Sequence, residues 1–245
     1  MASLLLDKPT KLNALDEEML AEIEQHFEAW ERAGDVTVVI IGSTSERAFC
    51  VGADLDVLAG LNPQTMQAWE LHGSRVLDCV QNSPLLSVAA ISGHALGGGL
   101  TLAAACDFRI ASEQATFAQP EINLGWIPGW CGVARLARIV GVPQAKELCA
   151  TGRRIDAGAA QAMGLIQEFV PAAEFENRVA NFARELAARS TPALRAIKQR
   201  ADSCSPLLAP TAARFDALLN AELLADPRGL AALAEFRARK AKKSN

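Results

Sequence analysis

Apolar and polar residues recur along the chain with two periods, and the change from one to the other marks out the elements. From Asp16 to about Arg32, Met19, Leu20, Ile23, Phe27 and Trp30 recur at helical spacing. Asp16, Glu17 and Glu18 put negative charge at the positive end of the helix dipole. This predicts a surface helix with one buried face, closed by Gly34-Asp35. The run Val36 to Ile41 is β-branched throughout and reads as a buried strand. Leu4 to Leu6 is a shorter strand candidate, and Gly42 to Arg47 reads as a turn.

No charged residue stands between Asp78 and Asp107, a stretch long enough to cross a bilayer. Pro84, Gly93 and the run Gly97-Gly98-Gly99 interrupt it, and Asn82, Ser83, Ser87, Ser92 and His94 dilute it. A buried strand at Leu85 to Ile91 and a packed helix at Leu100 to Cys106 are therefore expected in its place. Asp107 to Ala111 returns as a short strand. Repeated strand, turn and helix units predict an α/β fold. Beyond Gly141 the pattern turns helical, at Pro143 to Ala150, Ala157 to Met163, Ala173 to Arg189, Pro192 to Asp202 and Pro210 to Ala225. We expect a core over residues 1–190 and a helical appendage over residues 191–245.

Composition narrows the function classes. Half of the 245 residues are hydrophobic and the net charge is −4, which excludes extensive disorder and an overall nucleic-acid-binding charge. The basic tail from Arg228 to Lys243 keeps open a phosphate contact, or a non-catalytic RNA-binding or scaffolding role. The six cysteines form no C-x-x-C pair and no signal-like n-region opens the chain, so a reducing, cytoplasmic setting is expected. His26, His72 and His94 lie far apart and outside any zinc-ligand spacing, and no metal is expected.

Three segments carry the candidate chemistry: Phe49 to Leu55, Ser92 to Leu100 and Gln119 to Gly125. Three glycines between a strand and a helix let backbone approach a ligand and leave helix-start N–H groups unpaired. Tight packing is the plainer reading of the same glycines. In the first segment the Ala53 N–H is a second possible donor, and Asp54 can bind its own backbone to hold the loop. Glu121 follows Pro120 and stands among Ile122, Leu124 and Trp126. Apolar surroundings would raise its pKa by penalising the charged form, whereas a solvent-facing glutamate after a turn is the alternative.

Jointly, in order and spacing, these segments resemble the enoyl-CoA hydratase/isomerase (crotonase) family. The likeness extends to Pro9 to Leu15, Cys106-Asp107, Ile127-Pro128-Gly129, Ala157 to Gly164 and the helical C-terminus. It implies a spiral of β-β-α units with a C-terminal helical region, assembled as homotrimers or dimers of trimers, acting on acyl-CoA thioesters. Coenzyme A enters as part of the substrate, and no separate cofactor is expected. The resemblance assigns the Ala53 and Gly98 N–H groups to the thioester oxygen and Glu121 to acid–base catalysis. Lys11, Val51, Ala53 and Leu55 are the expected CoA contacts. Trp126, Trp130 and the region from Leu58 to Trp69 are where the acyl pocket is sought.

Three departures stand out. The second hydratase glutamate would fall at Thr101, which leaves a water or substrate anchor at most. Hydration needs two groups, one to activate water and one to deliver a proton, whereas moving a double bond needs one carboxylate, so isomerisation is expected over hydration. Gly129 lacks the carboxylate that the family's dienoyl-CoA isomerases and chlorobenzoyl-CoA dehalogenases need there. The segment before Pro9 is shorter than usual, which raises the expectation that Met1 is an internal start.

Overall fold

A computed structural model describes residues 1–202. β1 (Ala2–Leu6) and α1 (Glu17–Ala33) precede three turns of a spiral, in each of which two strands are followed by helix. The first turn is β2 (Val38–Ser43), β3 (Ala48–Cys50), α2 (Leu55–Ala59) and α3 (Pro63–Asn82). The second is β4 (Leu86–Ile91), β5 (His94–Leu96) and α4 (Gly98–Ala105). The third is β6 (Phe108–Ser112), β7 (Thr116–Ala118), a 3-10 turn at Pro120–Leu124 and α5 (Gly132–Val140). There follow α6 (Val142–Thr151), β8 (Ile155–Asp156), α7 (Ala157–Ala162), β9 (Glu168–Val170), α8 (Phe175–Ala187) and α9 (Thr191–Asp202).

Within each turn the first strand joins one sheet and the second joins another. The larger sheet is parallel throughout, ordered β1-β2-β4-β6-β9, and the smaller is ordered β3-β5-β7-β8 with only β7 and β8 antiparallel. Short corners at residues 44–47, 92–93 and 113–115 carry the chain between sheets. Successive corners stack so closely that a side chain on Gly93 would overlap the Arg47 carbonyl. The chain divides into compact units at residues 1–183 and 184–245. Everything described below for the site lies in the first unit.

Helix α1 behaves as its pattern predicts. Leu20, Ile23 and Phe27 are buried, Asp16 caps the start by accepting from the Met19 N–H at 3.1 Å, and Gly34 closes the end at φ 71°. The uncharged stretch after Asp78 resolves into β4, buried at every position, and α4, buried at every position from Gly99. Among the described residues no helix is long and apolar enough to cross a membrane.

Elsewhere the boundaries shift for identifiable reasons. β2 begins two residues later than its β-branched run and continues through Gly42 and Ser43, because these pair with Leu5 and Leu6 of β1. α4 starts at Gly98, so Gly98 and Gly99 fall in its first turn and only Gly97 precedes it, as the cap residue. Asp107 stays out of β6, and its carboxylate accepts from the Ser87 N–H at 2.7 Å and hydroxyl at 3.0 Å. β3, β5 and β7 have three residues each, too short for a periodicity to show. The helix expected at Pro210 to Ala225 and the basic tail lie outside the described residues.

Asn13 ties the N-terminal loop to the smaller sheet. It is fully buried at φ 58°; its amide donates to the Ser43 hydroxyl at 2.7 Å and the Phe49 carbonyl at 3.0 Å, and its oxygen accepts from the Lys8 N–H at 2.8 Å. Asn13→Ala leaves these partners unsatisfied, at about 1–3 kcal/mol for a buried group, and forces a less tolerant residue into the left-handed region. Urea unfolding should show a loss of about 3 kcal/mol; a loss below about 0.5 kcal/mol, the scale of surface substitutions, would show that the loop is held by other means.

Candidate active site

β3 and β5 run parallel and side by side, Ala48 opposite His94 and Cys50 opposite Ala95, so the chain leaves both strands at the same level. Beyond each strand a glycine with positive φ turns the backbone, Gly52 at 100° and Gly97 at 53°. The next residues are Ala53 and Gly98. Among the described residues neither of their N–H groups meets a partner, Gly98 being the first residue of α4, where no intrahelical acceptor exists. The two turns abut: a side chain on Gly52 would come within 3.0 Å of the Gly98 nitrogen. A side chain on Gly99 would overlap the Cys50 carbonyl, so glycine is what lets α4 start against β3. Two unpaired N–H groups on adjacent turns are suited to an oxygen that gains negative charge.

Glu121 reaches the same place from the 3-10 turn after β7. Its Oε1 lies 2.9 Å from where a side chain on Gly97 would begin. Burial raises the Glu121 pKa, and the Glu70 charge adds to the rise. The sequence neighbours named for this role are not its source, since Ile122, Leu124 and Trp126 are 42, 55 and 42 % exposed. The desolvation comes with the approach of Gly97 from beyond β5 and with the full burial of Gln119 just before the turn. Thr101 is also fully buried, its hydroxyl 3.3 Å from the Gly97 carbonyl and 3.3 Å from the Gln119 carboxamide. The carboxamide orientation that satisfies both its ends accepts from Thr101 and donates to Glu121 Oε1 at 3.2 Å and Oε2 at 3.3 Å. Sequence reasoning gave Gln119 no role, because a glutamine before a proline has no distinctive pattern.

Trp130 forms the next wall. It and Cys131 adopt φ of 53° and 60°, two consecutive non-glycine residues in the left-handed region. Charged groups hold the turn at both ends: Glu70 Oε2 accepts from the Trp130 N–H at 2.9 Å, and the buried Arg135 donates to the Trp130 carbonyl at 3.2 Å. Arg135 is itself fixed by Asp78 at 2.6 Å and by Gln81, both on α3. The Trp130 indole lies between two glycines, since a side chain on Gly73 would overlap its Nε1 and one on Gly98 would meet Cζ3 at 2.5 Å. The bulk expected of Trp130 therefore sits directly on a candidate donor.

These walls enclose a cavity of about 1070 Å³, ample for a thioester acyl chain. Val51, Ala53, Leu55, Gly98, Glu121, Trp126 and Trp130 all line it, as do Leu58, Met66 and Trp69; Thr101 lies behind the wall and not among the lining residues. Lys11 also lines the cavity, but its ammonium is bound to Asp54 at 2.7 Å and Asp56 at 2.6 Å. Those hydrogen bonds raise the Lys11 pKa and hold Asp54 below the usual carboxylate range. Asp54 also caps α2, accepting from the Asp56 N–H at 3.0 Å. His94 points elsewhere, its Nδ1 2.8 Å from the Thr116 hydroxyl.

Comparison with known proteins fits this geometry. Residues 1–239 match the enoyl-CoA hydratase/isomerase family. The chain belongs to that family. A probable enoyl-CoA hydratase of Rhizobium meliloti is 35 % identical over 96 % of this chain and 90 % of its own length. A probable mitochondrial enoyl-CoA hydratase 2 of Arabidopsis thaliana is 36 % identical over 80 % of this chain, the match spanning 65 % of that protein. The crystal structure of an enoyl-CoA hydratase from Bacillus anthracis superposes with a TM-score of 0.92 at 32 % identity, covering 97 % of this chain and 92 % of that one. The β-β-α spiral is thus the crotonase fold, and the protein is an acyl-CoA enzyme of this family.

A raised Glu121 pKa has a consequence for stability. The folded protein holds the Glu121 proton to higher pH than the unfolded chain does, so the group costs stability above its folded pKa. That cost is relieved as pH falls through the folded pKa and is absent below the unfolded one. Glu121→Gln should therefore raise the Tm relative to wild type at pH 8 and leave it unchanged at pH 3.5, measured by scanning calorimetry. An equal gain at both pH values would show that packing, and not the buried charge, is responsible.

Proposed function

We propose that this protein moves the double bond of a 3-enoyl-CoA to the 2-position. The Ala53 and Gly98 N–H groups bind the thioester oxygen, and Glu121 carries a proton between C2 and C4. An enolate oxygen gains more from two fixed donors than the carbonyl does, and one such donor lowers the barrier by about 3–4 kcal/mol. The raised Glu121 pKa suits a group that must both take and return a proton near neutrality. The observation that carries the choice of isomerisation is Thr101, which offers no carboxylate and whose buried hydroxyl is engaged by Gly97 and Gln119. Hydration is the second reading; it is favoured by the relatives, several of which are named hydratases, and by Glu70, a further carboxylate that lines the cavity with Glu121.

Purified protein assayed against 3-hexenoyl-CoA should generate conjugated thioester absorbance, with little loss of absorbance from crotonyl-CoA. Glu121→Gln should lower the first rate by on the order of 10²- to 10⁴-fold. Rapid hydration of crotonyl-CoA that Glu121→Gln abolishes would select the hydratase reading instead. Trp130 tests the pocket: Trp130→Ala removes the indole beside Gly98, and kcat/KM should shift toward 3-decenoyl-CoA over 3-hexenoyl-CoA. An unchanged ratio would place the acyl chain away from this wall.

A further inference from the structure

Besides Glu121 and the Lys11-paired Asp54 and Asp56, the cavity is lined by a further carboxylate that the spacing of the family motifs does not reveal. Glu70 lies on α3, on the same stripe as Met66 and Gly73, and lines the cavity together with Glu121. Its carboxylate fills the space beside Gly129, where any side chain on residue 129 would overlap Oε1 and Oε2. The acidic group absent from position 129 is thus delivered to the same space by another helix. Its Oε2 is anchored by the Trp130 N–H at 2.9 Å, while among the described residues no partner is recorded for Oε1. The negative charge of Glu70 also contributes to the raised pKa of Glu121, so the two carboxylates act on each other across the cavity.

A carboxylate with one oxygen fixed and the other unpartnered is held in place and retains a site for a proton. The nearest structural explanation is that Glu70 only braces the left-handed turn at Trp130. Glutamine would serve that purpose equally, since its carbonyl oxygen accepts the same hydrogen bond. We propose that Glu70 is a second proton-transfer residue of this acyl pocket, acting with Glu121 on an unsaturated acyl-CoA.

The inference rests on the enolate chemistry proposed above and changes its proton path. One of the two carboxyl groups, ionised, takes the C2 proton; the C–H bond breaks and its electron pair spreads over the thioester and the 3,4-double bond. The other, protonated, delivers its proton to C4, and the double bond settles between C2 and C3. The first then loses a proton to water and the second regains one from it, so charge and atoms balance over the cycle. The hydrogen that reaches C4 is therefore not the one that left C2.

The test uses 3-hexenoyl-CoA carrying deuterium at C2, turned over in ordinary water by wild type and Glu70→Gln. Wild type should deliver unlabelled hydrogen to C4. Glu70→Gln should lower kcat at least tenfold with KM nearly unchanged, lose one limb of the kcat–pH profile, and move label from C2 to C4. Label carried to C4 by wild type, or a Glu70→Gln kcat within twofold of wild type, would overturn the role of Glu70. Exchange of the C2 protons of butyryl-CoA into D2O needs one carboxylate and the two donors but no delivery to C4, and it should proceed in wild type. No exchange in wild type would instead overturn the enolate reading on which this inference rests. Far-ultraviolet dichroism and a Tm matching wild type confirm that Glu70→Gln retains the fold; a parallel Glu70→Asp variant, which restores a carboxyl group, should recover part of the kcat that Glu70→Gln loses, and no recovery would overturn the role of Glu70.

Discussion

The parallel pairing of β3 with β5 is the constraint from which the site follows. It brings two turns, distant in sequence, to the same level, and the turns then pack backbone to backbone. The 3.0 Å separation between the Gly98 nitrogen and the position of a side chain on Gly52, together with the overlap of Gly99 with the Cys50 carbonyl, leaves no room for larger residues. The glycines are thus required twice, for positive φ at Gly52 and Gly97 and for close approach at Gly99. Stacked corners at Arg47 and Gly93 continue the same packing at the other end of these strands.

Around this backbone frame the polar groups are arranged by what burial costs. A carboxylate taken out of water is penalised unless donors or protons compensate, and Glu121 meets both conditions through the Gln119 carboxamide and an upward-shifted pKa. Thr101, Gln119 and Glu121 form one chain of contacts, so a change at any of them is felt by the others. The turn at Trp130 and Cys131 shows a similar balance. Two left-handed non-glycine residues cost on the order of 1–3 kcal/mol each, which is the scale of a hydrogen bond to a charged group. Glu70 and Arg135 supply one such bond to each end of Trp130. The strained turn in return presses the indole against Gly98 and Gly73, so the shape of the cavity wall and the placement of a candidate donor are coupled.

Some features were legible in the sequence because they depend on local residue order. The face of α1, the cap at Asp16, the stop at Gly34 and the buried character of β4 and α4 follow from periodicity and composition. The glycine triplet, Ala53 and Glu121 could be picked out as a set by their order along the chain. Other features escaped because the signal is not local. β3, β5 and β7 are too short for an alternating pattern, yet they form the edge of the site. α3 does carry apolar residues at helical spacing and an Asn62 capping box, and the acidic residue in its apolar stripe, Glu70, was the available clue to a second carboxylate.

The sequence by itself determined many of the helices and the longer buried strands, the α/β class, and the residue types available for chemistry, because these rest on interactions among neighbours a few positions apart. Only the tertiary structure decided which of those residues meet. The exposed neighbours of Glu121 could not predict its desolvation, which depends on Gly97, brought in beyond β5, and on the burial of Gln119 beside it. Lys11 could not be seen to be matched by Asp54 and Asp56, nor Glu70 to fill the place of a side chain at Gly129. Burial, pairing and electrostatic coupling are properties of distances through space, and distances between segments far apart in the chain are set by the packing of the whole spiral.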